Sequence, residues 1–474
     1  MTRARRLLLG AAAAAIATVA APQAATAQSV LRDEEIEQFL RDYSLPVFRA
    51  AGLPAEQIEI LLIGDQSFNA FAGGLLMGVN SGLITISDTP AQIQGVIAHE
   101  AGHIAGGHTA RSDEALSAAT RPMLLSLVLA AGAIAAGAPD AGIGLLGLGQ
   151  NIGLANALKY SRGQESSADQ AALTYLEKIG RSGAGLIEAF EKLRNDQLVH
   201  SQRINPYMQS HPLAVQRVTA LSERAKQSPY YEVKDSPEEI ERLRVIQAKI
   251  RGFMQDVNVT LRQYPLSDQS DPALYARAVA YYRSADIDRA LKEIDKLLAS
   301  HPDNPYYNEL KGQMLFEFGR VAESIDPHRR SVELAPGKAL LLINHSRALA
   351  ATEDPLKLQE AVKQLKAALL IEPDNSFGWF ELARAHGALG NEPLANLAMA
   401  ESRYHQGLKP DAAQFAQRAR AGLKSGTPEH RQATDIIVAS IGADPAAGRD
   451  RNREKAPAPE PERNPAPGDV PDPQ

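Results

Sequence analysis

The sequence contains no cysteine, which excludes disulfide bonds, a thiolate nucleophile, cysteine-ligated metals and iron–sulfur clusters. It also has no excess of basic residues, because 50 Lys and Arg stand against 56 Asp and Glu and give a net charge of −6. This balance provides no electrostatic support for nucleic-acid binding, and we expect no nucleic-acid partner. Any metal ion must therefore be held by His, Asp or Glu side chains.

With 474 residues, of which 44% are hydrophobic, the chain is long enough for two or three domains. Its start has the layout of a secretory signal: basic residues, an apolar run over residues 7–21, and small residues at Ala25 and Ala27. We predict a signal peptide over residues 1–27, cleaved after Ala27, and an exported mature protein. An uncleaved anchor helix is the alternative, but a run of about 15 residues is shorter than the roughly 20 that span a bilayer.

The C-terminal half of the sequence repeats with a period of about 34 residues. Small residues and a proline recur at this spacing, in the order Ala278, Ala285, Ala290, Pro302 and then Gly312, Gly319, Ser324, Pro336. Helix–turn–helix units of this length are typical of tetratricopeptide repeats, and a non-repeating helical bundle is the alternative. We predict a first domain over residues 28–235, tetratricopeptide-like repeats over 236–442 and a disordered Pro-rich tail over 443–474.

Residues 99–103 read His-Glu-Ala-Gly-His, an H-E-x-x-H motif, on a predicted helix that starts at Pro90. On a helix, His99 and His103 lie one turn apart and can reach one metal ion, while Glu100 beside them can accept a proton from water. A surface helix with unrelated histidines is the alternative. The three polar side chains of the motif, however, lie on the same helix faces as apolar residues. They therefore point into an apolar environment, where unpaired polar groups are costly. We therefore predict a metal site with Glu100 as the catalytic base.

A tetrahedral zinc site that also binds water needs a third protein ligand. His108 comes one residue too early for the H-E-x-x-H-x-x-G-x-x-H pattern, and on a continuing helix it faces roughly 180° from His99. We predict that His108 is a solvated or capping residue. Glu165 and Asp169 share the apolar face of a helical pattern over residues 161–179. Two carboxylates that face the core need a partner there, such as a metal ion or a hydrogen-bond donor. We predict Glu165 as the third ligand and Asp169 as the acceptor for a ligand histidine N–H; a carboxylate pair on a solvated face is the alternative.

Upstream of the motif, the pattern predicts a helix over residues 33–51 and strands over residues 58–63 and 83–86. A short segment without charge lies between the two strands. It consists of Asn69, Ala70, Phe71, Ala72, Gly73 and Gly74.

A helix with H-E-x-x-H followed by a helix with E-x-x-x-D resembles the gluzincin metallopeptidases of the HtpX type, and residues 69–74 are similar to the strand segment before their active site. With the signal peptide and the repeats, most of residues 30–440 resembles the periplasmic protease-chaperones of outer-membrane protein assembly. The resemblance implies an α+β zincin-like domain, mostly helical with a small edge sheet, followed by an all-α tetratricopeptide-repeat solenoid. It also implies a periplasmic zinc endopeptidase with one Zn²⁺ per chain.

The resemblance implies roles for two more residues. His211, in the sequence Ser210-His211-Pro212, would occupy or guard the fourth zinc position in the resting enzyme, and Arg217 would lie near the cleft. Without the resemblance, a histidine before a proline in a loop is more often structural. We also expect the substrate to lie extended against the segment 69–74 and to add its backbone there as a strand.

The apolar stretch over residues 123–158 allows two interpretations. A membrane hairpin is one, but its halves, residues 123–136 and 143–158, have about 14 and 16 residues against the roughly 20 needed to span a bilayer. We favour a helix pair or loop over the catalytic cleft, in peripheral contact with the membrane surface or with an apolar client.

Two functions stay open. The first is an endopeptidase that degrades unfolded or misassembled outer-membrane proteins, assists their assembly and is recruited to the assembly machinery by its repeats. The second is chiefly a chaperone or scaffold whose metal site is latched and rarely used. The intact H-E-x-x-H and E-x-x-x-D motifs favour retained proteolysis, whereas the repeats and His211 favour an additional non-proteolytic activity.

Overall fold

A computed structural model describes residues 30–108, 162–199, 205–213 and 215–441. The chain divides into two compact units, the first ending at Leu297 and the second beginning at Leu298. The predicted signal peptide, the apolar stretch 123–158 and the predicted tail lie outside the described residues. Within the described ranges, no helix is long and apolar enough to cross a membrane.

Among its described residues, the first unit has a four-stranded sheet in the order β1-β2-β4-β3. The strands are β1 (Val30–Leu31), β2 (Glu59–Ile63), β3 (Ala70–Gly73) and β4 (Leu76–Asn80). β2 runs parallel to β4, whereas β1 pairs antiparallel with β2 and β3 pairs antiparallel with β4. The segment 69–74 thus contains β3, which lies at one edge of the sheet.

Helices make up most of the rest of the first unit up to Ala225. They are α1 (Glu34–Ala50), α2 (Ser81–Ile86), α3 (Pro90–Ala105), α4 (residues 162–178), α5 (Ala184–Val199), α6 (Pro206–Ser210) and α7 (Val215–Ala225), with a 3₁₀ turn at Ala55–Gln57. The helix predicted over residues 33–51 is confirmed as α1, whose Asp33 side chain caps the first turn by accepting from the Ile36 N–H.

The predicted strand over residues 83–86 is wrong, because these residues belong to α2 and the strand precedes them as β4. Leu83 and Ile84 are adjacent in sequence and both fully buried. Successive residues of a strand point to opposite faces, so adjacent burial on one side is easier in a helical turn. The Thr85 hydroxyl also donates back to the Ser81 carbonyl, one turn earlier.

Two glycines let α3 lie very close to its neighbours. A Cβ at Gly95 would come within 2.7 Å of the Leu186 backbone on α5, and a Cβ at Gly102 within 2.9 Å of the Ala168 backbone on α4. Only glycine permits these approaches. Gly102 lies inside the H-E-x-x-H motif, so the motif itself brings α4 against the face that carries the two histidines.

The first unit continues through α8 (Pro237–Met254), α9 (Val257–Gln263), α10 (Asp271–Arg283) and most of α11 (Ile287–Ser300). A buried polar cluster joins three of its helices. Lys249 on α8 donates to Glu35 on α1 at 3.0 Å, and the Tyr275 hydroxyl on α10 donates to the same carboxylate at 2.8 Å. The domain boundary at residue 235 stays a prediction.

The second unit consists of successive helices that pack against one another. They are α12 (Pro305–Glu317), α13 (Val321–Leu334), α14 (Ala339–Ala350), α15 (Pro355–Ile371), α16 (Ser376–Ala388), α17 (Glu392–His405), α18 (Lys409–Gly422) and α19 (Pro428–Ile441). Small residues lie at the helix crossings as the repeat pattern predicts, since a Cβ at Gly312 would come within 2.7 Å of the His328 ring. The predicted fold class, a mostly helical domain with a small sheet followed by helical repeats, is confirmed.

Candidate metal centre

α3 carries the H-E-x-x-H motif into the core of the first unit, and α4 lies directly beside it. Residue spacing on the two helices puts the histidines and the carboxylates face to face. The polar side chains of this site are all buried, namely His99, Glu100, His103, Glu165, Asp169 and His211. So many buried polar groups require one another, or a bound ion, as partners.

Four side chains bring one donor atom each to a common point, with all four atoms within 4.8 Å of one another. His99 Nε2 lies 3.1 Å from His103 Nε2 and 3.4 Å from Glu165 Oε2. His211 Nδ1 lies 3.4 Å from His99 Nε2 and 3.0 Å from Glu165 Oε1. The fold thus brings together the three predicted ligands and the residue predicted for the fourth position.

These donor atoms have the spacing that a tetrahedral ion requires. Bonds of 2.0–2.1 Å from a central zinc place neighbouring ligand atoms about 3.3 Å apart. Three imidazole nitrogens that face one another cannot all be satisfied as donors and acceptors without a shared cation or proton. The cluster of His99, His103, Glu165 and His211 therefore fits a divalent metal ion.

Asp169 and Arg217 support the cluster from behind. Asp169 Oδ1 lies 3.0 Å from His99 Nδ1, the ring nitrogen that points away from the other donors. The Arg217 guanidinium donates to both Asp169 oxygens and lies 2.8 Å from Glu165 Oε2. Its Nη1 also donates to the Pro212 carbonyl at 3.2 Å, next to His211. Arg217 thus reaches both carboxylates of α4 and the loop that carries His211.

The charges in the site shift the pKa values of its histidines in opposite directions. Burial lowers the pKa of His103, and the neighbouring His99 lowers it further, to about 3. Burial also opposes protonation of His99, but its hydrogen bonds to Asp169 and Glu165 outweigh burial and raise its pKa to about 9. For Asp169, burial opposes ionisation, but the hydrogen bonds and charges of Arg217 and His99 together outweigh it and keep the pKa below its usual value. Despite burial, the hydrogen bonds of His211 and His99 likewise hold the pKa of Glu165 well below its usual value, so both carboxylates of α4 are ionised.

Glu100 lies on the other side of the donor cluster, with its Oε1 3.6 Å from His211 Nε2. Burial raises the pKa of the Glu100 carboxyl, and the charges of His211 and His99 offset this only in part. A carboxylate with a raised pKa beside a metal site is suited to accept and return a proton near neutral pH.

Tyr207 and Phe190 are two site residues that sequence analysis missed. Both are fully buried. The Tyr207 ring stacks on His211 with ring centroids 4.6 Å apart and an interplanar angle of 29°. Phe190 lies edge-on to His99 at 5.7 Å and beneath the Arg217 guanidinium at 5.1 Å. The Asn205-Pro206 pair signals the start of α6, and the spacing of four residues between Tyr207 and His211 is the local signal that could have found their contact.

His108 is partly buried against His103, so the expectation of a solvated residue is wrong, whereas its rejection as a metal ligand agrees with the donor cluster. α3 ends at Ala105, and Gly107 adopts a φ of +63°, which turns the chain back. The His108 Nδ1 then lies 2.9 Å from His103 Nδ1. His108 contacts the predicted ligand from outside and is not one of the four residues that share the metal position.

β3 lies along α3, so the sheet edge that we expect to bind substrate runs beside the motif helix. Phe71 is partly exposed on this edge, where its ring covers Gly78 of β4. Just before β3, Phe68 makes an edge-to-face contact with Tyr207 at 6.1 Å. The edge strand and the donor cluster are therefore linked through buried aromatic side chains.

Family comparison agrees with this geometry. Residues 31–225 match Peptidase family M48, and residues 275–339 match a family described as Tetratricopeptide repeat. The chain thus has a region that matches the M48 peptidases followed by a region that matches tetratricopeptide repeats, and this combination supports metalloendopeptidase activity.

Two relatives are similar over most of the chain, and a third is similar over 35% of it. The Beta-barrel assembly-enhancing protease of Escherichia coli (strain K12) is 27% identical over 406 residues, covering 84% of this chain and 81% of that protein. The Putative beta-barrel assembly-enhancing protease of Vibrio cholerae serotype O1 is 24% identical over 373 residues, covering 77% of this chain and 75% of that protein. Metalloprotease YcaL of Escherichia coli (strain K12) is 31% identical over 167 residues, covering 35% of this chain and 61% of that protein.

Proposed function

We propose that this protein is a periplasmic zinc-dependent endopeptidase that degrades unfolded or misassembled outer-membrane proteins and assists their assembly. One observation carries the catalytic part of the proposal: one donor atom each from His99, His103, Glu165 and His211 lies within 4.8 Å of the others, beside the buried Glu100. His99, His103 and Glu165 would hold one Zn²⁺ per chain. Imidazole nitrogens and a carboxylate oxygen are ligands that zinc prefers, and a catalytic site keeps its fourth position for water or substrate.

The side chains of the site have distinct tasks in peptide hydrolysis. When bound, zinc supplies a Lewis acid that acidifies water and polarises a carbonyl. Glu100 accepts the proton of the attacking water and delivers it to the leaving amine. Asp169 holds the Nδ1–H of His99, so that the Nε2 lone pair of His99 faces the other donors. Arg217 fixes Asp169 and Glu165 in place.

His211 acts as a gate in this proposal. Its Nδ1 lies among the donor atoms of the proposed ligands, so it competes with water and substrate for the fourth position. His211 follows directly on α6, and the Tyr207 ring stacks against it. Cleavage therefore requires His211 to move away from the cluster, which the break in helix at Pro212 permits.

The substrate binds in an extended conformation along the edge strand in this proposal. The segment Asn69, Ala70, Phe71, Ala72, Gly73 and Gly74 contains β3 and its ends. An edge strand has backbone groups that can pair with an added strand, which gives affinity for unfolded chains without sequence specificity.

The clients and the location rest on similarity. Two relatives named for enhancing β-barrel assembly cover most of this chain, which supports misassembled outer-membrane proteins as substrates. We propose that the repeats recruit the enzyme to the assembly machinery, since repeat arrays present extended binding surfaces. Cleavage of the signal peptide after Ala27 and peripheral membrane contact through residues 123–158 belong to the same proposal.

A chaperone or scaffold with a latched site is the second candidate. The position of His211 favours it, because this side chain fills the place that a catalytic water needs. The two functions are compatible in one molecule and differ in whether Glu100 is used.

The test compares zinc content and cleavage of a denatured β-barrel protein in the wild type, Glu100→Gln and His211→Ala. We expect one zinc per chain in all three, loss of cleavage in Glu100→Gln and faster cleavage in His211→Ala. Glu191→Gln, on the exposed face of α5, is the matched control and should cleave as the wild type does. Zinc without cleavage in every variant would favour the chaperone, and a wild type without zinc would overturn the catalytic proposal.

A further inference from the structure

The end of α3 is built around the side chain of His108. The helix stops at Ala105, Gly106 caps it, and Gly107 takes the left-handed φ of +63° that favours glycine. This turn brings His108 Nδ1 to 2.9 Å from His103 Nδ1, with the two rings 4.9 Å apart and nearly perpendicular at 77°.

The turn also leaves space for the imidazole. A Cβ at Gly106 would lie 2.4 Å from His108 Nε2 and 2.8 Å from two of its ring carbons. Any residue larger than glycine at position 106 would therefore displace His108. Two successive glycines thus have one shared consequence, which is the close approach of His108 to His103.

A nitrogen–nitrogen distance of 2.9 Å between two imidazoles requires one proton between them. The other nitrogen of His103, Nε2, faces His99 and lies 3.4 Å from Glu165 Oε1. If His103 Nε2 is to offer a lone pair to a metal, the ring proton must be on Nδ1, which then donates to His108. His108 consequently carries its own proton on Nε2.

We propose that His108 is a positioning residue for metal binding: it accepts the Nδ1–H of His103 and thereby selects the tautomer whose Nε2 lone pair faces the donor cluster. This inference rests on the proposed function, in which His103 holds zinc. The two proposed histidine ligands of α3 are oriented by different acceptors, since His99 faces the Asp169 carboxylate and His103 faces a neutral ring.

Two substitutions separate the hydrogen bond from ring packing. His108→Phe keeps an aromatic ring against His103 and removes the acceptor, whereas His108→Asn keeps an acceptor near the Nδ1 position and removes the ring. The readout is the zinc dissociation constant of the full mature protein, measured by competition with a chromogenic chelator. His405→Phe, at an exposed position on α17, is the matched control.

We expect His108→Phe to weaken zinc binding by about 10- to 100-fold, as loss of a hydrogen bond to a metal-ligating histidine generally does. His108→Asn should bind zinc within about threefold of the wild type, and His405→Phe should match the wild type. Nitrogen-15 spectra of the histidine-labelled, metal-free wild type should show His103 protonated at Nδ1. Circular dichroism of the metal-free variants identifies any that fail to fold. If a variant fails to fold, the inference is judged from the nitrogen-15 spectra of the wild type.

Several results would overturn the inference. Wild-type affinity in His108→Phe, weak binding in His108→Asn, or a His103 protonated at Nε2 would each show that the contact is only packing. If the wild type itself binds no zinc, the proposed function fails together with this inference. If the wild type binds zinc and cleaves while His108→Phe retains full affinity, the inference alone fails.

Discussion

The Arg217 guanidinium forms a two-pronged contact with the Asp169 carboxylate, with Nε–Oδ2 at 2.5 Å and Nη2–Oδ1 at 2.8 Å. The same guanidinium reaches Glu165, so one cation faces both acidic residues of the E-x-x-x-D motif. The sequence-based expectation placed Arg217 near the cleft by resemblance alone. Its contacts show that Arg217 compensates the charges of Asp169 and Glu165. Two buried carboxylates on adjacent helical turns would repel each other without a shared cation.

Replacing Arg217 by Met should destabilise the metal-free protein by about 3 kcal/mol, because Asp169 and Glu165 are left with an uncompensated buried charge. Methionine retains the apolar contact with Phe190, so packing changes little. The loss should be smaller with zinc present, since the ion would take over part of the charge compensation. Urea unfolding with and without a chelator measures both values.

Arg224→Met is the matched control for this prediction. Arg224 lies on the same helix α7, with a side chain about a third exposed and Glu177 at 3.5 Å. An exposed ion pair of this kind contributes about 0–1 kcal/mol. Equal losses in the two variants would show that Arg217 has no special role in the site.

Replacing Phe71 by Glu should weaken cleavage of unfolded polypeptides several-fold through a higher KM, because a charge at the exposed sheet edge disfavours an added apolar strand. Zinc content should not change, since Phe71 is not among the donor residues. Steady-state cleavage of a denatured β-barrel protein measures the effect. Leu75→Glu alters an exposed apolar residue in the turn after β3, outside the strand, and should have a smaller effect. A KM unchanged in Phe71→Glu would contradict binding at this edge.

The repeats should lose stability in mild acid because of the buried His328. Burial, followed by the charges of His345 and Arg347, lowers the pKa of His328 to about 3. The unfolded chain has an ordinary histidine pKa of about 6.5 and therefore takes up the proton first as the pH falls. The contribution of neutral His328 to the free energy of unfolding is therefore complete above about pH 6.5 and is lost progressively as the pH falls towards 3.

Between pH 7.5 and pH 5, this single group should cost about 2 kcal/mol of unfolding free energy. Chemical unfolding followed by tryptophan fluorescence is a suitable readout, because Trp379 lies in the second unit. The difference between the two pH values should shrink by that amount in His328→Leu, whatever the absolute stability of the variant. A full wild-type difference in His328→Leu would assign the pH dependence to other groups.

Replacing Ala285 by Gly should stabilise the protein by about 1 kcal/mol. Ala285 has a φ of +61° in the turn between α10 and α11, whereas Gly319 and Gly390 occupy the equivalent turns at +77° and +74°. A left-handed backbone costs a non-glycine residue roughly 1–2 kcal/mol. Glycine avoids this cost but loses more conformational entropy on folding, which offsets only part of the gain. Thermal unfolding of Ala285→Gly and of the reciprocal Gly319→Ala should shift in opposite directions, and shifts of the same sign would contradict the argument.

Local periodicity predicted those features that depend on neighbours in the chain. The helix predicted over residues 33–51 forms as α1, and the spacing of four residues puts His99 and His103 on one face of α3. The same spacing puts Glu165 and Asp169 on one face of α4, which the structure places opposite His99. The small residues of the repeats likewise mark helix crossings, since their spacing follows from the length of one helix pair.

The tertiary structure decided the rest. Residues 83–86 have the composition of a strand, yet burial against the core makes them the end of α2. The approach of His108 to His103 depends on where α3 ends, and the Arg217 contact with Asp169 joins α7 to α4. Chain composition and spacing thus determined the chemistry of the site, a histidine–carboxylate cluster with a base beside it. Only the tertiary structure decided which groups orient and balance it, because Arg217 reaches Asp169 across 48 residues of sequence and His108 reaches His103 through the turn that ends α3.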